Sequence, residues 1–208
     1  MVRVLHVNSS PRSNNSHSLT LAEEFLTAYQ ESHSDVEVDT LNLFTEDLPG
    51  FGVHAAEAKM ATFFGQQHSD DQREAWTATR RVFDRFAAAD VYLFNVPMWN
   101  HGVPYMLKQW IDIITQPGWA FGFDPAQGYS GLMSGKRAVV LYSSGVYADG
   151  APASYGTDFL TPYFEDWLNF VGITDYQAIK LFGQVLDPDA ALNAEKALKQ
   201  VRELASNF

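Results

Sequence analysis

Val2-Arg3-Val4-Leu5-His6-Val7-Asn8-Ser9-Ser10-Pro11-Arg12-Ser13-Asn14-Asn15-Ser16-His17-Ser18 runs from an apolar segment into a loop rich in hydroxyls and amides. Val2 to Val7 reads as a buried strand, and helical periodicity follows from about Ser18 to Glu31, with Leu19 to Phe25 setting it. A parallel strand that feeds a polar loop and then a helix makes an anion cradle. The helix start carries N–H groups without intrahelical partners and a partial positive charge, and serine hydroxyls add donors. Two readings fit the loop. Ser10, Ser16, Ser18 and nearby amides can grip a phosphate, or Ser16 or Ser18 can simply cap the helix while the rest makes a turn. Neither Gly-x-Gly-x-x-Gly nor Gly-x-x-x-x-Gly-Lys-Ser/Thr follows the strand, which disfavours a dinucleotide cradle and a nucleoside triphosphatase.

The alternation continues. Val36 to Leu43 reads as a half-exposed strand, and Thr45 to Gly52 is a loop with Pro49, Gly50 and Gly52. Helical patterns follow from about Ala55 and from Asp71 to Ala89. Asp90 to Val96 is nearly all apolar, as a central parallel strand covered on both faces must be. A helix is expected from Tyr105 to Thr115, stopped by Gln116-Pro117-Gly118, and Trp119 to Met133 reads as a hairpin or an ordered loop. Arg137 to Tyr142 is a second central strand; Pro162 to Phe170 is helical, Asp175 to Phe182 strand-like, and Asp189 to Ala205 a closing amphipathic helix. Five strands alternating with helices imply right-handed crossovers, an α/β class and a doubly wound parallel sheet. No repeat or linker divides the chain, so residues 1–208 are expected to form a single domain.

Ligands of such sheets sit beyond the C-terminal strand ends, near the point where strand order reverses. Three loops occupy those ends: after Asn8, after Val96 and after Tyr142. Their convergence is the central expectation. Pro97-Met98-Trp99-Asn100-His101-Gly102-Val103-Pro104 is a stiff loop presenting an indole, an amide and an imidazole, suited to the rim of a flat heteroaromatic ring or, equally, to a structural turn. Ser143-Ser144-Gly145-Val146 permits close backbone approach. Trp119, Phe121, Phe123 and Tyr129 can wall a pocket, meet a second subunit or fill a core.

The composition narrows the function. A net charge of −11 argues against nucleic acid and anionic lipid. No run of about eighteen uncharged apolar residues is present, so no membrane span is expected. Cysteine is absent, and the N-terminal residues lack an export pattern, so a cytoplasmic setting is expected. The six histidines show no metal-ligand spacing, so no metal is expected, and no Gly-x-Ser-x-Gly elbow is present. His6, inside a strand, reads as a packed residue. With no acid/base pair standing out, an enzyme of this sequence would rely on a cofactor.

The motifs together resemble the FMN-dependent NADH azoreductases and quinone reductases of the flavodoxin-like superfamily. The resemblance runs from Val4-Leu5-His6-Val7-Asn8-Ser9-Ser10 and Ser16-His17-Ser18 through Pro97-Met98-Trp99-Asn100, Leu107-Lys108-Gln109-Trp110-Ile111-Asp112 and Pro117-Gly118. It continues through Gly131-Leu132-Met133-Ser134-Gly135-Lys136, Asp149-Gly150 and Gly172-Ile173-Thr174-Asp175. It implies a flavodoxin-like five-stranded sheet in the order 2-1-3-4-5 with helices on both faces. It also implies bound FMN, NADH or NADPH as hydride donor, quinone or azo acceptors, and a homodimer. By position, Ser10, Ser16, His17 and Ser18 would hold the FMN phosphate and ribityl chain. Pro97, Met98, Trp99, Asn100 and His101 would line the ring, with the Asn100 N–H near its reactive nitrogen. Ser143, Ser144, Gly145 and Val146 would meet the pyrimidine side, and Phe121, Tyr129 and Tyr147 the substrate. Asn100 and His101 are the catalytic candidates. His101 or Tyr147 could supply a proton, as could water. The chain departs from the family in carrying His101 where Phe is usual, and Gly145-Val146-Tyr147 where a Gly-Gly pair and His often stand. A flavodoxin-type electron carrier and a flavin-free binding protein are the alternative classes.

Overall fold

The computed structural model describes residues 1–12 and 15–208; Ser13 and Asn14 of the first loop lie outside the described residues. The elements run β1 (Val2–Asn8), α1 (His17–Ser32), β2 (Val36–Asn42), α2 (Val53–Phe63), α3 (Asp70–Ala87), β3 (Val91–Pro97) and α4 (Tyr105–Ile114). They continue with β4 (Phe121–Asp124), β5 (Gly128–Gly131), β6 (Arg137–Ser143), α5 (Leu160–Val171), β7 (Asp175–Leu181) and α6 (Ala190–Asn207). The main sheet is parallel throughout, in the order β2-β1-β3-β6-β7. Counting only its own strands, this is 2-1-3-4-5.

Period-two alternation divides the strands between two cores. Leu5, Phe94 and Val140 face Phe86 of α3, Trp110 of α4 and Phe164 of α5. Val4, Leu93 and Val139 face Phe25 of α1 and Val201 of α6. Helices therefore cover both faces. The first face is strongly aromatic, with Phe94 in edge contact with Phe164 at 5.1 Å between centroids.

Two details sharpen the sequence reading. The Trp119 to Met133 segment contains an antiparallel hairpin, β4–β5. It docks where Gly131 meets the backbone of Gly172, so closely that a Cβ on Gly131 would lie 2.2 Å from the Gly172 nitrogen. Helix α5 begins two residues before Pro162 because Asp158 Oδ1 accepts from the amides of Leu160 (2.9 Å) and Thr161 (2.8 Å). Pro162 then falls in the first turn, where no intrahelical N–H is lost. Among the described residues no helix is long and apolar enough to cross a membrane, and no acid, histidine or cysteine cluster could hold a metal.

Candidate functional site

Adjacency in the sheet brings the three loops together. Asn8 of β1 stands beside Asn95 of β3, and Pro97 of β3 beside Ser143 of β6. Ser9 Oγ donates to Asn95 O at 2.6 Å, and the Met98 amide donates to Ser143 O at 2.7 Å, so the strand ends are tied crosswise.

In the first loop Ser16 is the N-cap of α1, its Oγ accepting from the Leu19 amide at 3.3 Å. The same oxygen lies 3.3 Å from Ser18 Oγ, and both serines are buried. Ser16 is thus a helix cap, and its hydroxyl and that of Ser18 stand beside a helix start whose first amides, at His17 and Ser18, have no intrahelical acceptor. Ser10 is buried as well; its amide donates to Asn8 Oδ1 at 3.0 Å and its Oγ accepts from the Arg12 amide at 3.4 Å. His17 is exposed at the helix start.

The second loop is a two-residue turn. Trp99 and Gly102 exchange both backbone hydrogen bonds at 2.9 Å, and Asn100 and His101 between them have φ of 47° and 71°. Both central residues are left-handed, as in a type I′ turn, a conformation that disfavours most side chains but is most readily adopted by asparagine among them. The turn is held from outside: the Phe159 amide donates to His101 O at 2.9 Å, and the His101 ring rests on Gly156. Trp99 sits between Phe44 and Tyr105, with centroids 5.7 and 6.3 Å away.

In the third loop Ser144 is committed internally. Its hydroxyl donates to Tyr147 O and accepts from the Gly183 amide. Gly145 O accepts from the Val185 amide at 2.8 Å, leaving Val146 exposed. The Tyr147 hydroxyl donates to Asp149 Oδ1 at 3.3 Å. Its pKa is raised by desolvation first, then by Asp149 and Asp158, so it keeps its proton at neutral pH.

Two concavities meet at Asn100. The smaller, about 350 Å³, is lined by Met98, Asn100, His101, Gly145, Val146 and Tyr147 among others. The larger, about 1230 Å³, has walls that include Phe51, Trp99, Tyr105, Phe159 and Tyr163, with Lys59 at its border. Burial lowers the Lys59 pKa, Asp112 opposing. The structure thus brings Met98, Asn100 and His101 together with Gly145 to Tyr147, and links Ser10 through Asn8 to Asn95 of β3, while Ser16 and Ser18 pair with each other at the start of α1. It does not bring Phe121 and Tyr129 to either concavity; they pack on Phe170 of α5, at 5.1 and 5.3 Å. Phe51, Lys59, Phe159 and Tyr163 escaped the sequence reading because they come from segments distant in the chain. Asn95 did carry a signal, as an amide in an otherwise apolar central strand.

The model of a family described as having a flavodoxin-like fold matches residues 2–205. An FMN-dependent NADH:quinone oxidoreductase of Ruegeria pomeroyi is 44% identical over 199 residues, covering 95% of this chain and 97% of that one. One from Nitratidesulfovibrio vulgaris is 39% identical over the whole of both chains. Among solved structures, an azoreductase from Bacillus anthracis superposes with a TM-score of 0.91 at 26% identity, covering all of both chains. An FMN-dependent NADH-azoreductase from the same species, in complex with FMN, gives 0.86 at 25%, over 100% of this chain and 99% of that one.

Proposed function

We propose that this chain, which belongs to the flavodoxin-like fold family and within it to the FMN-dependent NADH:quinone oxidoreductases, holds FMN across the C-terminal ends of β1, β3 and β6. It is an oxidoreductase of quinones and azo compounds. The observation that carries the assignment of residues is the side-by-side placement of those three strand ends, with the turn at Asn100 between two concavities.

The donor set fits a flavin mononucleotide. A phosphate dianion needs donors more than it needs a lysine. The buried Ser16 and Ser18 hydroxyls, the start of α1 and the Ser10 hydroxyl supply them, with His17 at the edge. The smaller concavity, walled by Met98, Asn100 and His101 on one side and Ser144 to Val146 on the other, takes the flat ring system. When bound, FMN would supply the redox chemistry, two-electron transfer between NADH and the acceptor.

The chain's own residues set the stage for that transfer. The Trp99–Gly102 turn is locked by its own hydrogen bonds and by Phe159, so the Asn100 amide is held in place without reorganisation as a donor to the ring edge. Phe51, Trp99, Tyr105 and Tyr163 offer aromatic surface on which a nicotinamide and then a quinone can stack and exclude water. His101 and Tyr147 stand at the smaller concavity as proton sources, alongside water. A second copy of the chain completes the larger concavity: exposed Tyr105 and Phe159 flank its mouth, and Phe123 and Tyr129 offer further aromatic surface on the hairpin. Residues 1–208 act as one domain in that homodimer.

The test is spectroscopic. Purified protein reconstituted with FMN should bleach on addition of NADH and regain its colour with a benzoquinone. Absence of FMN uptake removes the assignment. Uptake followed by sluggish bleaching makes the protein an electron carrier instead.

A further inference from the structure

Beneath the first loop lies a buried histidine with no part in the chemistry above. His6 stands in β1, 3% exposed, on the same face as Val4 by strand alternation and beside Leu93 of β3 in the sheet register. An apolar side chain would fill this place without desolvating an imidazole, so its polar contacts need an explanation.

Those contacts form one chain with a determinable direction. The backbone dictates where the Ser10 N–H points, and it donates to Asn8 Oδ1 at 3.0 Å. The same oxygen lies 2.9 Å from Asn95 Nδ2, so Asn95 donates there and must turn its own Oδ1 the other way. That Oδ1 is 2.8 Å from His6 Nε2. An acceptor at that distance requires the ring proton on Nε2. The order is therefore His6 to Asn95 to Asn8, with the Ser10 amide donating into the last oxygen. Ser9 closes the network by donating its hydroxyl to Asn95 O.

We propose that His6 is a positioning residue for the phosphate-binding loop: its Nε2–H fixes the orientation of the Asn95 amide, which holds Asn8, which holds the Ser10 amide where the chain leaves β1. The inference rests on the reading that this loop binds the FMN phosphate. Without the His6 donor, the buried Asn95 Oδ1 loses that hydrogen bond, and the contact with Asn8 alone holds the amide against turning over. Turning over, it would set Oδ1 against Asn8 Oδ1 and release Ser10 from its place. Burial lowers the His6 pKa and keeps the ring neutral, as the single-donor arrangement requires. His6 touches neither flavin nor substrate in this scheme; it acts through the two asparagines.

The experiment compares FMN with riboflavin, which lacks the phosphate, by fluorescence titration of apoprotein. His6→Leu removes the donor, and His6→Gln retains one on a side chain of similar reach. His6→Leu should weaken FMN about tenfold while riboflavin stays within about twofold, and His6→Gln should recover most of the loss. Unchanged FMN binding in His6→Leu overturns the proposal. So does an equal loss for both flavins, which marks a general structural defect, or failure of His6→Gln to recover. If His6→Leu does not fold, nitrogen NMR of the wild-type apoprotein decides. A ring protonated at Nε2 supports the chain, and one protonated only at Nδ1 overturns it. Wild-type protein that takes up neither flavin instead overturns the functional reading, and the ring-proton measurement still judges the hydrogen-bond order.

Discussion

The imidazole of His101 rests on the bare backbone of Gly156: a Cβ built there would lie 3.0 Å from His101 Nε2. Gly156 also has φ of 112° and ψ of 178°, a region that side chains other than hydrogen rarely enter. Gly156→Ala therefore strains the backbone and displaces the ring together. It should destabilise the protein by about 1–3 kcal/mol and weaken FMN binding, because the His101 carbonyl also anchors Phe159. Thermal melting with a parallel FMN titration checks both. An unchanged flavin affinity would show that the turn does not depend on this support.

His101 itself divides into backbone and side-chain roles. At φ of 71°, glycine is accommodated and a β-branched residue is not. His101→Val should lower stability by about 1–2 kcal/mol, whereas His101→Gly should leave the melting temperature near that of the wild type. His101→Phe keeps an aromatic ring but removes the imidazole nitrogens. If the imidazole delivers a proton to the acceptor, this variant slows reoxidation of the reduced enzyme by quinone and spares reduction by NADH. Equal rates in both half-reactions would remove His101 from the proton path.

The frame was legible because its signals are local. Val2 to Val7 and Asp90 to Val96 are apolar runs of strand length, and each ends in a polar loop; the periodic segments between them are helical. That was enough to place three loops at one sheet edge. What could not be read depends on contacts across the chain. Phe121 and Tyr129 are aromatic residues in a glycine-rich segment, as a pocket wall can be, yet Gly131 docks the hairpin on Gly172 and turns both rings toward Phe170. Phe159 and Gly156 reach the site from the long connection between β6 and α5, a stretch with no periodic pattern to place it. Ser144, plausible as a ligand from position, spends its hydroxyl on Tyr147 O of its own loop and on the Gly183 amide beyond β7.

The same hairpin docking gives a stability prediction. At Gly131 a Cβ would meet the backbone of Val171 and Gly172 at 2.2 to 2.4 Å, and backbone cannot rotate aside as a side chain can. Gly131→Ala should cost about 3 kcal/mol, the upper end of overpacking penalties. Gly128→Ala, at φ of 86° in open space, pays only for its backbone and should cost about 1 kcal/mol. Urea midpoints of the two variants should rank in that order; equal midpoints would mean that β4–β5 can detach at no expense.

At the opposite edge of the sheet, Arg85 of α3 grips Asp39 of β2 with two hydrogen bonds, at 2.8 and 2.7 Å, and reaches Glu46 at 3.0 Å. The hydrogen bonds from Arg85 hold the Asp39 pKa below its ordinary value, against the opposing effect of burial. A carboxylate whose folded pKa is depressed contributes stability above its unfolded pKa, and loses it as pH falls through the folded value. Asp39→Asn should therefore be less stable than wild type at pH about 7, and the gap should close below pH about 4. The pair is partly exposed, so the gap should be small and should shrink in high salt. A gap independent of pH would assign the effect to packing.

His6 makes the opposite pH range informative. Its pKa is lowered, burial acting first and the Asn95 hydrogen bond opposing, so the folded protein resists a proton that the unfolded chain accepts near pH 6.5. Where the unfolded state binds more protons, stability rises with pH. The contribution is therefore intact above about pH 6.5, declines as pH drops, and levels off only below the folded-state value. The other five histidines all retain some solvent exposure, so none meets the same burial. Urea denaturation of wild type and His6→Gln at pH about 7.5 and about 5 isolates the effect, since glutamine offers a donor without a titration. Wild type should lose more stability between the two conditions than His6→Gln does. Parallel losses would mean that water reaches the His6 ring in the folded protein, and the order of donors beneath the first loop would no longer be held by a neutral imidazole.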